Sequence, residues 1–119
     1  RIVLIGSRAA LGKEDRILYG PAKAAVASLG RSMALELARW HVTANTVAPG
    51  PIATELFNQG QPPGTPARIK IEANVPLGRV GDPAEIAAAT SFFLSDEASY
   101  VTGQTLNVCG GLSVGFAGQ

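Results

Sequence analysis

Three side chains near the start of the chain have types and spacing that could move protons and polarise a carbonyl: Ser7, Tyr19 and Lys23. Tyr19 and Lys23 stand four positions apart, which on a helix puts them on one face within reach of each other. A phenol titrates near pH 10, about three units too high to shuttle protons well at neutrality. An ammonium beside it favours the phenolate, so such a pair suits acid/base exchange between an alcohol and a carbonyl. Ser7, at the end of an apolar run, is placed to hydrogen-bond the same oxygen and stabilise charge developing there. By itself Tyr-x-x-x-Lys is a weak signal, and its plain alternative is a surface pair at a helix start.

The same stretch, RIVLIGSRAALGKEDRILYGPAK, also carries glycines after a strand-like run, which raises the question of a phosphate cradle. The spacing excludes it. A P-loop reads G-x-x-x-x-G-K-[ST], so that backbone N–H groups wrap the phosphates and a hydroxyl reaches Mg²⁺. Here five residues separate Gly6 from Gly12, and Glu14 stands where Ser or Thr is required.

The elements that must position these groups follow from pattern. Ile2-Val3-Leu4-Ile5 is a short β-branched run that suits a strand buried on both faces of a parallel sheet. Pro21 to Trp40 reads as a long helix, with Pro21 in the first turn where its missing N–H costs nothing. Ala25, Leu29, Met33 and Leu37 form its apolar row, and Ala24, Ala27 and Gly30 would let another helix approach closely. Val42 to Ala48 is a second strand, stopped by Pro49-Gly50-Pro51. Residues 56–76 hold proline clusters and little period until Ala67–Ala73, as expected of a long mobile excursion. Asp82 then caps a helix with Pro83 at its first position, running to Leu94. Gln104 to Val108 is a third strand, closed by Gly110-Gly111. The order predicts an α/β layered fold with parallel strands. Ligands in such sheets bind at the carboxyl ends of the strands, here Gly6-Ser7, Ala48-Pro49-Gly50 and Cys109-Gly110.

Composition narrows the function classes. The chain has 119 residues, 46% of them hydrophobic and 16% charged, with a net charge of +1. That is enough for one modest domain, and nothing in the charge points to nucleic acid or an anionic membrane. The apolar runs are far short of a membrane span. One cysteine, Cys109, excludes an internal disulfide and makes a reduced, cytoplasmic setting the default. One Cys with one His excludes a Cys/His zinc site, so no metal is expected. His41 suits a capping role at the end of the first helix. A Ser/His/Asp hydrolase built on Ser7 lacks G-x-S-x-G.

Taken together, Gly6-Ser7, Tyr19-Gly20-Pro21-Ala22-Lys23 and Asn45-Thr46-Val47-Ala48-Pro49-Gly50-Pro51-Ile52-Ala53-Thr54 resemble the short-chain dehydrogenase/reductase family. Leu77-Gly78-Arg79, Asp82-Pro83-Ala84-Glu85-Ile86-Ala87, Tyr100-Val101-Thr102-Gly103-Gln104 and Gly110-Gly111 continue the match over nearly the whole chain. The resemblance implies a Rossmann-like doubly wound parallel sheet, of which residues 1–119 supply the last three strands and their helices. It implies NAD or NADP as cofactor, and hydride transfer between a secondary alcohol and a ketone. Tyr19 would be the general acid/base, Ser7 would polarise the substrate carbonyl, and Lys23 would hold the nicotinamide ribose and favour the Tyr19 phenolate. Pro49 and Gly50 would pass under the nicotinamide, while Ile52 through its backbone and Thr54 through its hydroxyl would meet the carboxamide. Residues 55–76 would form the substrate lid.

Departures from the family pattern carry information too. The glycine-rich dinucleotide-binding part that opens such enzymes does not occur in this sequence, nor does the family's catalytic Asn. Cys109 replaces a frequent acidic residue and reads as a small buried thiol. The chain is therefore expected to be the C-terminal, catalytic half of a larger enzyme, unable to bind a dinucleotide alone. The resemblance also implies a homodimer or homotetramer through the long helix and the last helix–strand unit. The alternative is an inactive fragment that serves only as an association module, its first strand offering an unpaired edge.

Overall fold

The computed structural model describes residues 1–115. Strand β1 (Ile2–Ile5) leads through a 3-10 turn at Arg8–Leu11 to helix α1 (Tyr19–Leu37) and strand β2 (Ala44–Pro49). Helices α2 (Glu55–Gly60), α3 (Pro66–Asn74) and α4 (Pro83–Leu94) follow, and strand β3 (Thr105–Val108) closes the sheet. The strands are parallel in the order β1-β2-β3, with Ile2 opposite Ala44 and Thr46 opposite Thr105. The α/β class expected from the element order is met.

The centre of the fold is β2. Ala44, Asn45, Thr46, Val47 and Ala48 are all buried, and this strand, rather than the greasier β1, carries burial on both faces. Strand β1 has the unpaired edge expected of it, and with Ile5 48% exposed it is not buried on both faces here. Hydrophobicity alone does not say which strand is central; pairing does. Burying Asn45 completely requires that its amide be satisfied. Its Nδ2 donates to Val101 O at 2.8 Å, and its Oδ1 accepts from Gln104 N at 3.0 Å. Ala44 N donates to Thr102 Oγ1 at 3.0 Å beside it. These bonds tie the central strand to the segment that delivers β3.

Helix α1 begins at Tyr19, so Pro21 sits within its first turn as expected. The face it turns to the sheet is not the anticipated apolar row. Gly30 and Ala34 are its buried residues towards the helix middle, whereas Leu29 is 52% exposed and Ala25 is exposed. A Cβ at Gly30 would lie 2.8 Å from Thr46 Oγ1 and 3.2 Å from Leu4 Cδ1. At Gly30 the missing side chain lets the helix approach the strands closely.

The excursion after β2 is also more ordered than its proline content predicts. Thr54 and Thr65 cap two helices, accepting from Phe57 N and Arg68 N, and Pro66 opens α3. Arg68, 5% exposed, staples them. Its Nε donates to Glu72 Oε1 at 2.8 Å, and its Nη1 to Asn58 Oδ1 and Gln61 O, each at 3.0 Å. Its guanidinium lies 5.1 Å from the Phe57 ring centroid. Helix α4 matches expectation: Asp82 and Glu85 form a reciprocal capping box, with Pro83 at the first position. His41 ends the turn after α1 in the left-handed region, its N–H donating to Ala38 O.

Two outcomes test this account. Asn45→Leu leaves the part-buried Val101 carbonyl and Gln104 N–H without their partners, which should cost about 1–3 kcal/mol in urea denaturation; a loss within about 0.5 kcal/mol would contradict the clamp. Arg68→Leu should speed amide hydrogen exchange across residues 55–74 while leaving β2 protected. Equal protection in both proteins would mean that Arg68 holds nothing together.

Candidate active site

The carboxyl ends of the strands bring the candidate residues to one rim of the sheet. After β1, Ser7 is the N-cap of the 3-10 turn, and its Oγ accepts from Ala9 N at 3.1 Å. A hydroxyl that accepts here keeps its own proton free to donate. Opposite it begins α1, held tightly to that turn: a Cβ at Gly20 would meet Ala9 O at 3.0 Å. Tyr19 is 46% exposed at the helix start, and its hydroxyl forms no hydrogen bond among the described residues.

One turn further on, Lys23 reaches back to the strand end, where its Nζ donates to Ile5 O at 3.0 Å. The ammonium lies 5.8 Å from the Tyr19 ring centroid. That single bond spans α1 and β1 and fixes the lysine two residues from Ser7. An ammonium has three N–H donors, so two stay available to a ligand.

The other half of the candidate set follows β2. Pro49 pairs with Val108, and Gly50 N donates to Val108 O at 2.9 Å. Ile52 forms an isolated bridge with Gly81, made by Gly81 N to Pro51 O at 3.0 Å and Ala53 N to Gly81 O at 2.8 Å. These bonds leave the Ile52 N–H outside the bridge. Thr54 caps α2 by accepting from Phe57 N at 3.2 Å, and like Ser7 it retains a hydroxyl proton. Free donors at Lys23, Ile52 and Thr54 are a donor set that a nicotinamide ribose and carboxamide could use.

The groups do not share one enclosed cavity. Ser7 and Lys23 line a cleft of about 210 Å³ together with Ala48 and Asn107. Ile52 lines a larger one of about 320 Å³ with Leu77, Arg79 and Cys109. Tyr19 and Thr54 line neither. The larger cleft is not where the Tyr19 phenol stands.

Beside the larger cleft, Arg79 grips Glu85 through two parallel bonds of 2.8 and 2.7 Å. Glu85 Oε2 also accepts from Asp82 N at 2.7 Å. The guanidinium first, then the Asp82 N–H, holds the Glu85 carboxyl down at about 2, and the carboxylate in turn raises Arg79. Arg79 is thus an anchor between the segment after α3 and the start of α4. Cys109 is a buried free thiol donating to Ser113 Oγ at 3.3 Å. No group of three or more His, Cys, Asp or Glu able to hold a metal occurs among the described residues, and no helix is long and apolar enough to cross a membrane.

Two residues that motif spacing did not single out belong to this region. Arg68 orders the segment beyond Thr54; its pairing with Glu72 was readable as an i, i+4 ion pair, its bonds to Asn58 and Gln61 were not. Arg8 follows Ser7 directly, and its Nε donates to Leu112 O at 3.4 Å.

Comparison with known proteins agrees with this fold. A family model described as enoyl-(acyl carrier protein) reductase matches residues 1–113. A 3-oxoacyl-[acyl-carrier-protein] reductase of Vibrio harveyi is 45% identical over 116 residues, covering 94% of this chain and 45% of that protein. The chain thus spans less than half the length of this curated relative. A short chain dehydrogenase family protein of Francisella tularensis superposes with a TM-score of 0.87 at 32% identity, over 96% of this chain and 51% of that one. YwfH, an NADPH dependent reductase involved in bacilysin biosynthesis, gives a TM-score of 0.86 at 30% identity, over 98% and 48%.

The Glu85 carboxyl, lowered from 4.5 to about 2, stabilises the fold above pH 4.5 and loses that contribution as the pH falls towards 2. Melting temperatures of the protein and its Glu85→Gln variant should therefore differ most above pH 4.5 and converge near pH 2. A difference that stays constant across that window would show that the pair does not couple to folding.

Proposed function

The chain belongs to the short-chain dehydrogenase/reductase family, and we propose that it is the catalytic portion of an NAD(P)-dependent oxidoreductase interconverting a secondary alcohol and a ketone. The observation that carries the proposal is the bond from Lys23 Nζ to Ile5 O, which ties the base of the Tyr19 helix to the strand end bearing Ser7. NAD or NADP, when bound, supplies or accepts the hydride. The NADPH dependence of the similar YwfH supports the NADP option without deciding it.

The proton chemistry belongs to the chain itself. In the reducing direction the Ser7 hydroxyl, anchored by the Ala9 N–H, donates to the substrate carbonyl oxygen and favours negative charge there. Tyr19 O–H donates to the same oxygen and gives up its proton as that oxygen becomes an alcohol; oxidation reverses the transfer. Lys23, with two N–H groups beyond its bond to Ile5 O, holds the ribose hydroxyls. Ile52 N–H and the Thr54 hydroxyl orient the carboxamide, while Pro49 and Gly50 floor the ring. Residues 55–76, stapled by Arg68, act as the substrate lid.

Association is part of the proposal. A homodimer or homotetramer would cover the exposed Leu29 and Leu35 of α1, and a cytoplasmic setting fits the free thiol of Cys109. A second reading, an association module without activity, draws on the unpaired edge of β1 and on Ile17 and Leu18, which are largely exposed.

Tyr19→Phe in the full-length protein should lower kcat by about 10²–10⁴-fold with little change in dinucleotide affinity. Turnover that survives the substitution would remove Tyr19 from the mechanism. An enzyme silent with both cofactors and a broad alcohol panel would favour the association reading.

A further inference from the structure

Arg8 has no role in the reaction as derived, yet it adjoins the hydroxyl that meets the substrate. It follows Ser7 in the 3-10 turn and is half-buried. Its side chain leaves the end of β1 and donates through Nε to Leu112 O, in the segment that follows β3. Since β2 lies between those two strands, the guanidinium is directed along the rim where β2 ends in Pro49. Neighbouring strands are about 4.8 Å apart, so a side chain that bridges the end of β1 and the segment after β3 passes the carboxyl end of β2, although Arg8 itself lines neither cleft.

Charge makes the position informative. Among the described residues Arg8 forms no ion pair, unlike Arg68 and Arg79, whose carboxylates are Glu72 and Glu85. Among the described residues only its Nε is engaged, and neither terminal nitrogen has a partner. A half-buried guanidinium without a carboxylate presents a planar fork of donors suited to bidentate recognition of one.

We propose that Arg8 is a specificity-determining residue that binds a carboxylate on the substrate, so that the preferred substrates are keto acids and hydroxy acids rather than neutral ketones and alcohols. The inference rests on the oxidoreductase reading above and adds the substrate class to it. Ser7 then holds the reacting carbonyl while its neighbour holds the acid group, and the two fixed points orient the carbon that receives hydride. The chemistry is otherwise unchanged, and no new bond is made or broken.

The test uses the full-length protein, NADH and NADPH in turn, and the isomeric oxopentanoates beside their methyl esters. Wild type should reduce at least one acid with kcat/KM about 10²-fold above its ester, the order expected of a charge-assisted bidentate pair. Arg8→Leu should bring that ratio close to one, and Arg8→Lys should restore part of it. Equal efficiency for acid and ester in the wild type overturns the proposal. So does a fall of both in parallel in Arg8→Leu, which is what a purely structural tie to Leu112 would produce. If neither acid nor ester reacts with either cofactor, the oxidoreductase reading fails separately. Calorimetric titration of the oxopentanoates then decides Arg8: binding lost in Arg8→Leu supports the carboxylate site, and no binding in the wild type overturns it.

Discussion

The close approach of backbone to β2 is the constraint on which the rest of the structure depends. A Cβ at Gly30 would stand 2.8 Å from Thr46 Oγ1, and one at Gly50 would stand 2.8 Å from Cys109 Cα. Real contacts of that kind do not occur, so helix and neighbouring strand pack where they do because a side chain is missing. The strand answers with small and polar residues, Ala44, Asn45, Thr46 and Ala48, whose polar groups must then be satisfied inside. Asn45 does this with Val101 and Gln104. Packing at β2 and the placement of β3 are thus one arrangement.

From that arrangement the chemistry follows. Holding α1 tightly against the sheet brings its first turns to the end of β1, within reach of the Lys23–Ile5 bond. The hydroxyls of Ser7 and Thr54 each accept one backbone N–H at the start of a turn or helix. Capping and donation use different parts of the same group, so residues that end local structure can also face a ligand. The Arg79–Glu85 pair has the opposite character. Its donors and acceptors are spent on each other and on the Asp82 N–H, which leaves it an anchor.

Much of this was legible in the sequence where the signal is local. The Asp82-Pro83 start of α4 follows from capping chemistry and the fixed backbone of proline and is where expected, whereas β2 runs one residue further than its proline stop suggested, to Pro49. The α/β order was legible for the same reason. Misreadings arose where a residue's partner is distant in sequence. The greasy run Ile2–Ile5 suits burial on both faces, but burial is defined by neighbours, and at the edge of these three strands Ile5 stays exposed. Of Ala24, Ala27 and Gly30, small residues read as room for another helix, Gly30 makes its close approach to Thr46 and Leu4 on the sheet. The prolines of the excursion suggested a mobile loop, whereas Thr54 and Thr65 cap helices that Arg68 draws together.

By itself the sequence determined the residue types available for proton transfer, their order along the chain, the local starts and stops, and the family. Those depend on short-range sterics and on hydrogen bonds between near neighbours. Tertiary structure alone decided which strand is central, which face of α1 is buried, and that Arg8 extends towards Leu112 with no carboxylate partner among the described residues. It also decided that the two clefts are separate. Such properties depend on what lies opposite a side chain, and nothing in a linear string fixes that until the strands pair.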